Sequence, residues 1–183
     1  MPTDTRDLQQ ALEYLLAEEG GWSNHPADTG GKTFNGVTQA TYNDWRKRVV
    51  KKPAQSVRLA TASEIKELYD VMYWRAARCD RLPWPISYLV FDAAVNSGPV
   101  RGIQWAQKGL GLAADGVVGP NTIAAASRAV DEGDSAKILA IVDARVEFLA
   151  RLVQNKPSQA AFLLGWWRRT LRVFGRAILS ESE

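Results

Sequence analysis

Two reactive side-chain types are almost missing from this 183-residue chain: it has one cysteine, Cys79, and one histidine, His25. A lone cysteine excludes an intrachain disulfide. One His and one Cys far apart in sequence argue against a zinc site built from those ligands, and no metal or cofactor is expected. Ser-His-Asp and Cys-His catalysis would have to run through His25 alone. Carboxylates are the acid–base groups left for an enzyme. No apolar run approaches the roughly 20 residues that a membrane span needs. The first residues, Met1-Pro2-Thr3-Asp4-Thr5-Arg6-Asp7, carry no basic patch leading into an apolar core. A protein made in the cytoplasm without a signal peptide is therefore expected. Runs of alternating polar and apolar residues are missing too, so any sheet is small.

What remains is globular: 46% of residues are hydrophobic and 23% charged, which argues against a disordered chain. The length suits one ordinary core, or a domain with a small module. A net charge of +3 leans toward anionic partners such as nucleic acid, acidic lipid or an acidic wall polymer. Apolar spacing is helical nearly throughout. It predicts helices over 6–19, from Thr38 to about Val49, over 61–78, 86–96, 99–109, 120–130, 135–154 and 158–179. Thr61-Ala62-Ser63-Glu64 reads as a capping box. The segment 86–96 is apolar almost all round and reads as a central buried helix. The Gly-rich stretch 22–37 is the one candidate for a short β-hairpin. The expected fold class is all-α with that minor β element.

The first helix carries an anomaly. At roughly 100° per residue, Leu8, Leu12 and Leu15 fall within about 60° of one another, and Glu19 falls in the middle of them. A carboxyl at the end of an apolar stripe and at the negative end of a helix has two reasons for a raised pKa. A carboxylic acid still protonated near neutral pH is what a general acid requires. A Glu preceding Gly20-Gly21 also fits a frayed, solvated helix end. The next segment adds a second carboxylate, Asp28, then Gly30-Gly31, Thr33 and Asn35 before the following helix.

Glu19-Gly20-Gly21-Trp22, followed by Asp28-x-Gly30-Gly31-x-Thr33-x-x-Gly36-Val37-Thr38, resembles the signature of glycoside hydrolase family 108. Tyr73-Trp74 and Phe91-Asp92-x-x-x-Asn96-x-Gly98 are similar to its later blocks. Asp115-Gly116-x-x-Gly119-x-x-Thr122 resembles its C-terminal, peptidoglycan-binding region. Trp22 and Thr29 stand where the family usually has Tyr and Pro. The resemblance covers roughly residues 8–175 and implies an N-acetylmuramidase with a lysozyme-like helical fold. It implies that Glu19 donates the proton to the glycosidic oxygen. By analogy with phage-type lysozymes, Asp28 stabilises the developing positive charge or activates water, and Thr33 orients that water. Asp28 could equally hydrogen-bond its own loop as an Asx-turn.

Gly31, Asn35, Tyr73 and Asn96 are candidate substrate contacts; Asn96 also suits a helix C-cap, and Tyr73 a place in the core. The Asp115-Gly116 segment reads as a tight turn before a helix or as a sugar-binding site. In the last helix Leu163, Trp167, Leu171, Phe174 and Ile178 form one apolar stripe expected to dock on the core. Trp167 with Arg168, Arg172 and Arg176 is a candidate site for anionic lipid or lipopolysaccharide. The expected organisation is a catalytic region, 1–97, and a helical peptidoglycan-binding-like region, 98–183, packed as one unit. The expected protein is a monomeric endolysin that cleaves the β-1,4 bond between N-acetylmuramic acid and N-acetylglucosamine. It would reach the cell wall through holin-type release and bind no nucleic acid. A lytic transglycosylase, a chitinase and a non-catalytic peptidoglycan binder are the alternatives.

Overall fold

The computed structural model describes residues 4–18, 33–34 and 36–179, with side chains over 6–17 and 36–179. Helix α1 (Asp4–Glu18) buries Leu8, Ala11, Leu12 and Leu15, the stripe that its spacing predicts. Two short antiparallel strands follow, β1 (Thr33–Phe34) and β2 (Val37–Thr38), with Thr33 opposite Thr38 and Phe34 opposite Val37. Gly36 between them has φ 74°, a left-handed turn that glycine adopts without a Cβ clash. Thr38 then caps α2 (Gln39–Arg48): its side chain accepts from the Thr41 backbone N–H at 3.1 Å. Helix α3 (Ala62–Tyr69) opens on the expected capping box, with Thr61 and Glu64 each serving the other's backbone.

The helix expected over 61–78 is interrupted. After α3 the chain widens into a π-turn, Asp70–Trp74, closed by the Arg75 N–H on the Asp70 carbonyl at 2.8 Å. The wider turn lets Tyr69 and Trp74, five residues apart, both face the core; each is buried. Arg78, at φ 55°, then reverses the chain.

Helix α4 (Ile86–Ser97) lies at the centre, with every residue from Ile86 to Ala94 buried. Around it pack α1, α5 (Pro99–Gly109), α7 (Ser135–Asn155) and α8 (Ala160–Leu179), while α6 (Pro120–Asp131) rests on α7. The approach of α5 to α4 requires glycine: a Cβ on Gly102 would stand 2.8 Å from the Val90 carbonyl oxygen.

A carboxylate sits in this core. Asp92 is buried on α4 and meets two guanidinium groups from the C-terminal half. Arg145 Nη1 on α7 donates to Oδ2 at 2.6 Å, and Arg169 Nε on α8 donates to Oδ1 at 2.9 Å. Arg169 Nη2 lies 2.8 Å from the same oxygen. Burial alone would raise the Asp92 carboxyl; the two cations outweigh it and hold the group below the usual carboxylate range.

These contacts explain how α8 docks, which differs from the expectation. Its buried residues are Thr170, Val173 and Ala177; of the expected stripe, Phe174 packs half-buried on the core and Leu163 is half-buried, whereas Trp167, Leu171 and Ile178 are exposed. Arg169 has to reach Asp92. Arg176, half-buried, donates to the Tyr14 carbonyl at 2.8 Å and lies over the Tyr14 ring. The same Arg176 hydrogen-bonds the Tyr88 hydroxyl, which burial and the neighbouring Asp92 charge push up to about 12. Satisfying both arginines turns the stripe that carries Trp167 and Leu171 toward solvent.

Removing one partner of such a buried cluster leaves the others uncompensated. Asp92→Asn is expected to cost about 3–5 kcal/mol in urea unfolding at neutral pH. Because the folded-state pKa is depressed, this stability is present above the ordinary carboxylate range and is lost as pH falls through the folded value. The variant should therefore show a flatter acid limb than the wild type.

Candidate functional site

Four of the candidate residues, Glu19, Asp28, Gly31 and Asn35, lie outside the described residues. Thr33 is described in its backbone, as the first residue of β1. In sequence this segment runs from the end of α1 to the hairpin; the hairpin, the N-terminus of α2 and the π-turn after α3 are described.

Hydroxyl groups join three of these elements. Tyr73, on the π-turn, is half-buried, and its hydroxyl shares a hydrogen bond with the Thr41 side chain. Burial raises the Tyr73 pKa and this bond partly opposes the shift. The Thr41 hydroxyl lies 2.9 Å from that of Thr38, and Thr38 is the cross-strand partner of Thr33. Tyr73 and the Thr33 backbone are thereby tied to one corner of the molecule. Tyr69 packs on Tyr73 with ring centroids 5.7 Å apart, so the Tyr73 ring is backed by core on that side. No sequence pattern marks Thr41 beyond its place three residues after an N-cap threonine.

The same corner is braced from behind. Arg46, buried on α2, donates through Nε to the Pro53 carbonyl at 2.7 Å and through Nη1 to Glu64 Oε1 at 3.2 Å. The Tyr42 hydroxyl donates to Glu64 Oε2 at 3.0 Å. The Thr61 backbone N–H, then Tyr42 and Arg46, hold the Glu64 carboxyl below its usual range against the opposing effect of burial. Glu64 thus caps α3 and ties α2 to it, a structural use of a carboxylate.

Asn96 is exposed near the end of α4. Its Nδ2 donates to the Asp92 carbonyl at 2.7 Å. That carbonyl lies four residues back within the helix, so Asn96 is not the C-cap expected for it: Gly98 holds that position, its N–H donating to the Ala94 carbonyl at 2.8 Å.

The Asp115-Gly116 turn is held from within by a residue that sequence reading passed over. Gln107 on α5 is buried; its Nε2 reaches Asp115 Oδ1 at 2.7 Å, the Val117 carbonyl at 2.9 Å and Thr122 Oγ1 at 3.2 Å. Its Oε1 accepts from the Gly116 N–H at 2.9 Å. Asp115 also accepts from the Val117 N–H at 2.8 Å. These bonds, the backbone one first, keep Asp115 below its usual pKa. A glutamine eight residues before Asp-Gly was the available signal. Of the two readings of this segment, the geometry gives the structural turn.

Comparison with known proteins adds three findings. Residues 12–98 match the model of the family described as glycosyl hydrolase 108, and residues 101–171 match that of a predicted peptidoglycan domain. No curated protein is a significant match. Among solved structures, the chain is similar to Brucella abortus SagA at 30% identity, with a TM-score of 0.78 over 94% of each chain.

If Asp115 serves the turn, its loss should act through stability. Gln107→Leu is expected to lower unfolding free energy by about 1–3 kcal/mol. Asp115→Ala should leave binding to purified sacculi unchanged per folded molecule in a pull-down. Lost binding in a fully folded Asp115→Ala protein would make the turn a sugar contact.

Proposed function

The chain belongs to the glycosyl hydrolase 108 family, and from that premise we propose that it hydrolyses the β-1,4 bond between N-acetylmuramic acid and N-acetylglucosamine, with Glu19 as general acid. Its two family halves make it a peptidoglycan-degrading glycoside hydrolase; the bond cleaved and the acid are the proposal. The observation that carries it is the burial of Leu8, Leu12 and Leu15 on α1. Glu19 is the next position of that stripe in sequence, immediately after the last residue of the helix. On this reading a carboxyl continuing the stripe would meet both effects that keep an acid protonated, apolar surroundings and the negative helix end.

In the proposed reaction Glu19 gives its proton to the bridging oxygen as the C1–O bond breaks, freeing the 4-hydroxyl of N-acetylglucosamine. Water supplies hydroxide to C1 of N-acetylmuramic acid, and its remaining proton passes to Asp28. Asp28 also balances the positive charge that builds on the ring carbon and oxygen. Thr33 would orient the water. Tyr73, backed by Tyr69 and anchored through Thr41, would offer its ring to a sugar face, with Asn96, Gly31 and Asn35 as polar contacts. On this reading the protein is a lytic enzyme of the endolysin type acting at the cell wall.

Purified sacculi test this directly. Glu19→Gln, folded as judged by circular dichroism, should slow sacculus solubilisation about 10²- to 10⁴-fold. Mass spectrometry of the wild-type digest should show muropeptides ending in reducing N-acetylmuramic acid. An unchanged rate would remove Glu19 from the mechanism, and 1,6-anhydro ends would make the enzyme a lytic transglycosylase.

A further inference from the structure

The solvent face of α8 carries a row of exposed apolar residues. Leu164, Trp167, Leu171 and Ile178 are 58%, 42%, 68% and 40% exposed. They fall within about 60° of one another around the helix, well away from the face of Thr170, Val173 and Ala177 that docks. The surface is open as well: a Cβ built on Gly165 or Gly175 meets no atom within 4 Å. Exposed large apolar residues are ordinary when scattered. A row of them along nearly four turns of one helix is not.

The charge beside the row is of one sign. Residues 160–179 contain four arginines and no Asp or Glu. Arg169 and Arg176 turn inward, to Asp92 and Tyr14. Arg168 and Arg172 are exposed and flank the row on one side. The two acids of the last four residues, Glu181 and Glu183, come after the helix in sequence.

We propose that this face of α8 binds the interface of an anionic lipid bilayer, with Leu164, Trp167, Leu171 and Ile178 entering the acyl boundary and Arg168 and Arg172 meeting the headgroups. A helix with a charged side and an apolar row that includes a Trp is suited to lie in the plane of an interface. No helix among the described residues is long and apolar enough to cross a membrane, so the contact is peripheral. The 3–4 spacing would also fit a facing helix, but a second copy would bring the arginine flanks of two acid-free helices together. The residues differ from those that sequence spacing alone selects: Arg176 is spent on Tyr14 and Tyr88, and Leu164 joins.

The test is co-sedimentation of the full chain with vesicles of phosphatidylglycerol and phosphatidylethanolamine, against phosphatidylcholine alone. Wild type should bind the anionic vesicles at least about tenfold more tightly, since each arginine near the surface contributes roughly fivefold. Arg168→Gln/Arg172→Gln should lose about 25-fold on the same basis. Leu164→Glu/Leu171→Glu, both at exposed positions, should abolish binding while keeping the wild-type unfolding midpoint. Equal binding to the two vesicle types, or full binding by the Leu164→Glu/Leu171→Glu protein, would overturn the proposal. So would a dimer of the wild type, lost in Leu171→Glu, with no lipid binding; that result would give the face to a second copy.

Discussion

A single buried carboxylate sets the arrangement of the helices. Asp92 is out of water at the centre of α4 and holds its charge because Arg145 and Arg169 meet it at 2.6 and 2.9 Å. A buried ion cluster is a poor source of net stability, since desolvation offsets most of its attraction. It is a strong source of selection, because any packing that leaves one of the three unpaired is heavily penalised. Here the three groups come from α4, α7 and α8. The last two helices can pack on the first in one orientation only. The orientation chosen brings Arg176 onto α1 at Tyr14, so the two family regions meet through charged contacts as well as apolar ones.

That coupling bears on function. The glycosyl hydrolase 108 region ends at residue 98 and the peptidoglycan domain begins at 101, yet the packing has no seam there. Gly98 and Pro99 turn α4 directly into α5, and Gly102 lets the two helices touch. The turn at Asp115, which sequence makes look like a ligand loop, spends its polar groups on Gln107. The C-terminal region thus contributes support to the helix that leads to Glu19, and a separate exposed face on α8.

Much of this was legible in the sequence, and the exceptions share a cause. The stripe of α1, the capping box at Thr61, the all-round apolar α4 and a short hairpin in the Gly-rich stretch are local patterns, set by residues within a turn or two of one another. The π-turn after Tyr69 was not legible, because it answers to the demand of Tyr69 and Trp74 for one core. Nor was the face of α8. Its apolar residues formed the better stripe, but the helix follows Arg169 and Arg176, whose partners lie 77 and 162 residues away. Periodicity reports how hydrophobic a face is; it does not report which distant charge must be answered. At the candidate site, Tyr73 and Thr33 were found by motif, whereas Thr41, which ties Tyr73 to the hairpin base at Thr38, carries no motif.

Bridged by the Asp92 cluster, the two family regions should unfold as one cooperative unit. Scanning calorimetry of the full chain tests it most directly. One endotherm is expected, with its calorimetric enthalpy equal to its van't Hoff enthalpy. Two resolved transitions, or a van't Hoff enthalpy well below the calorimetric one, would show the regions unfolding separately and would contradict it.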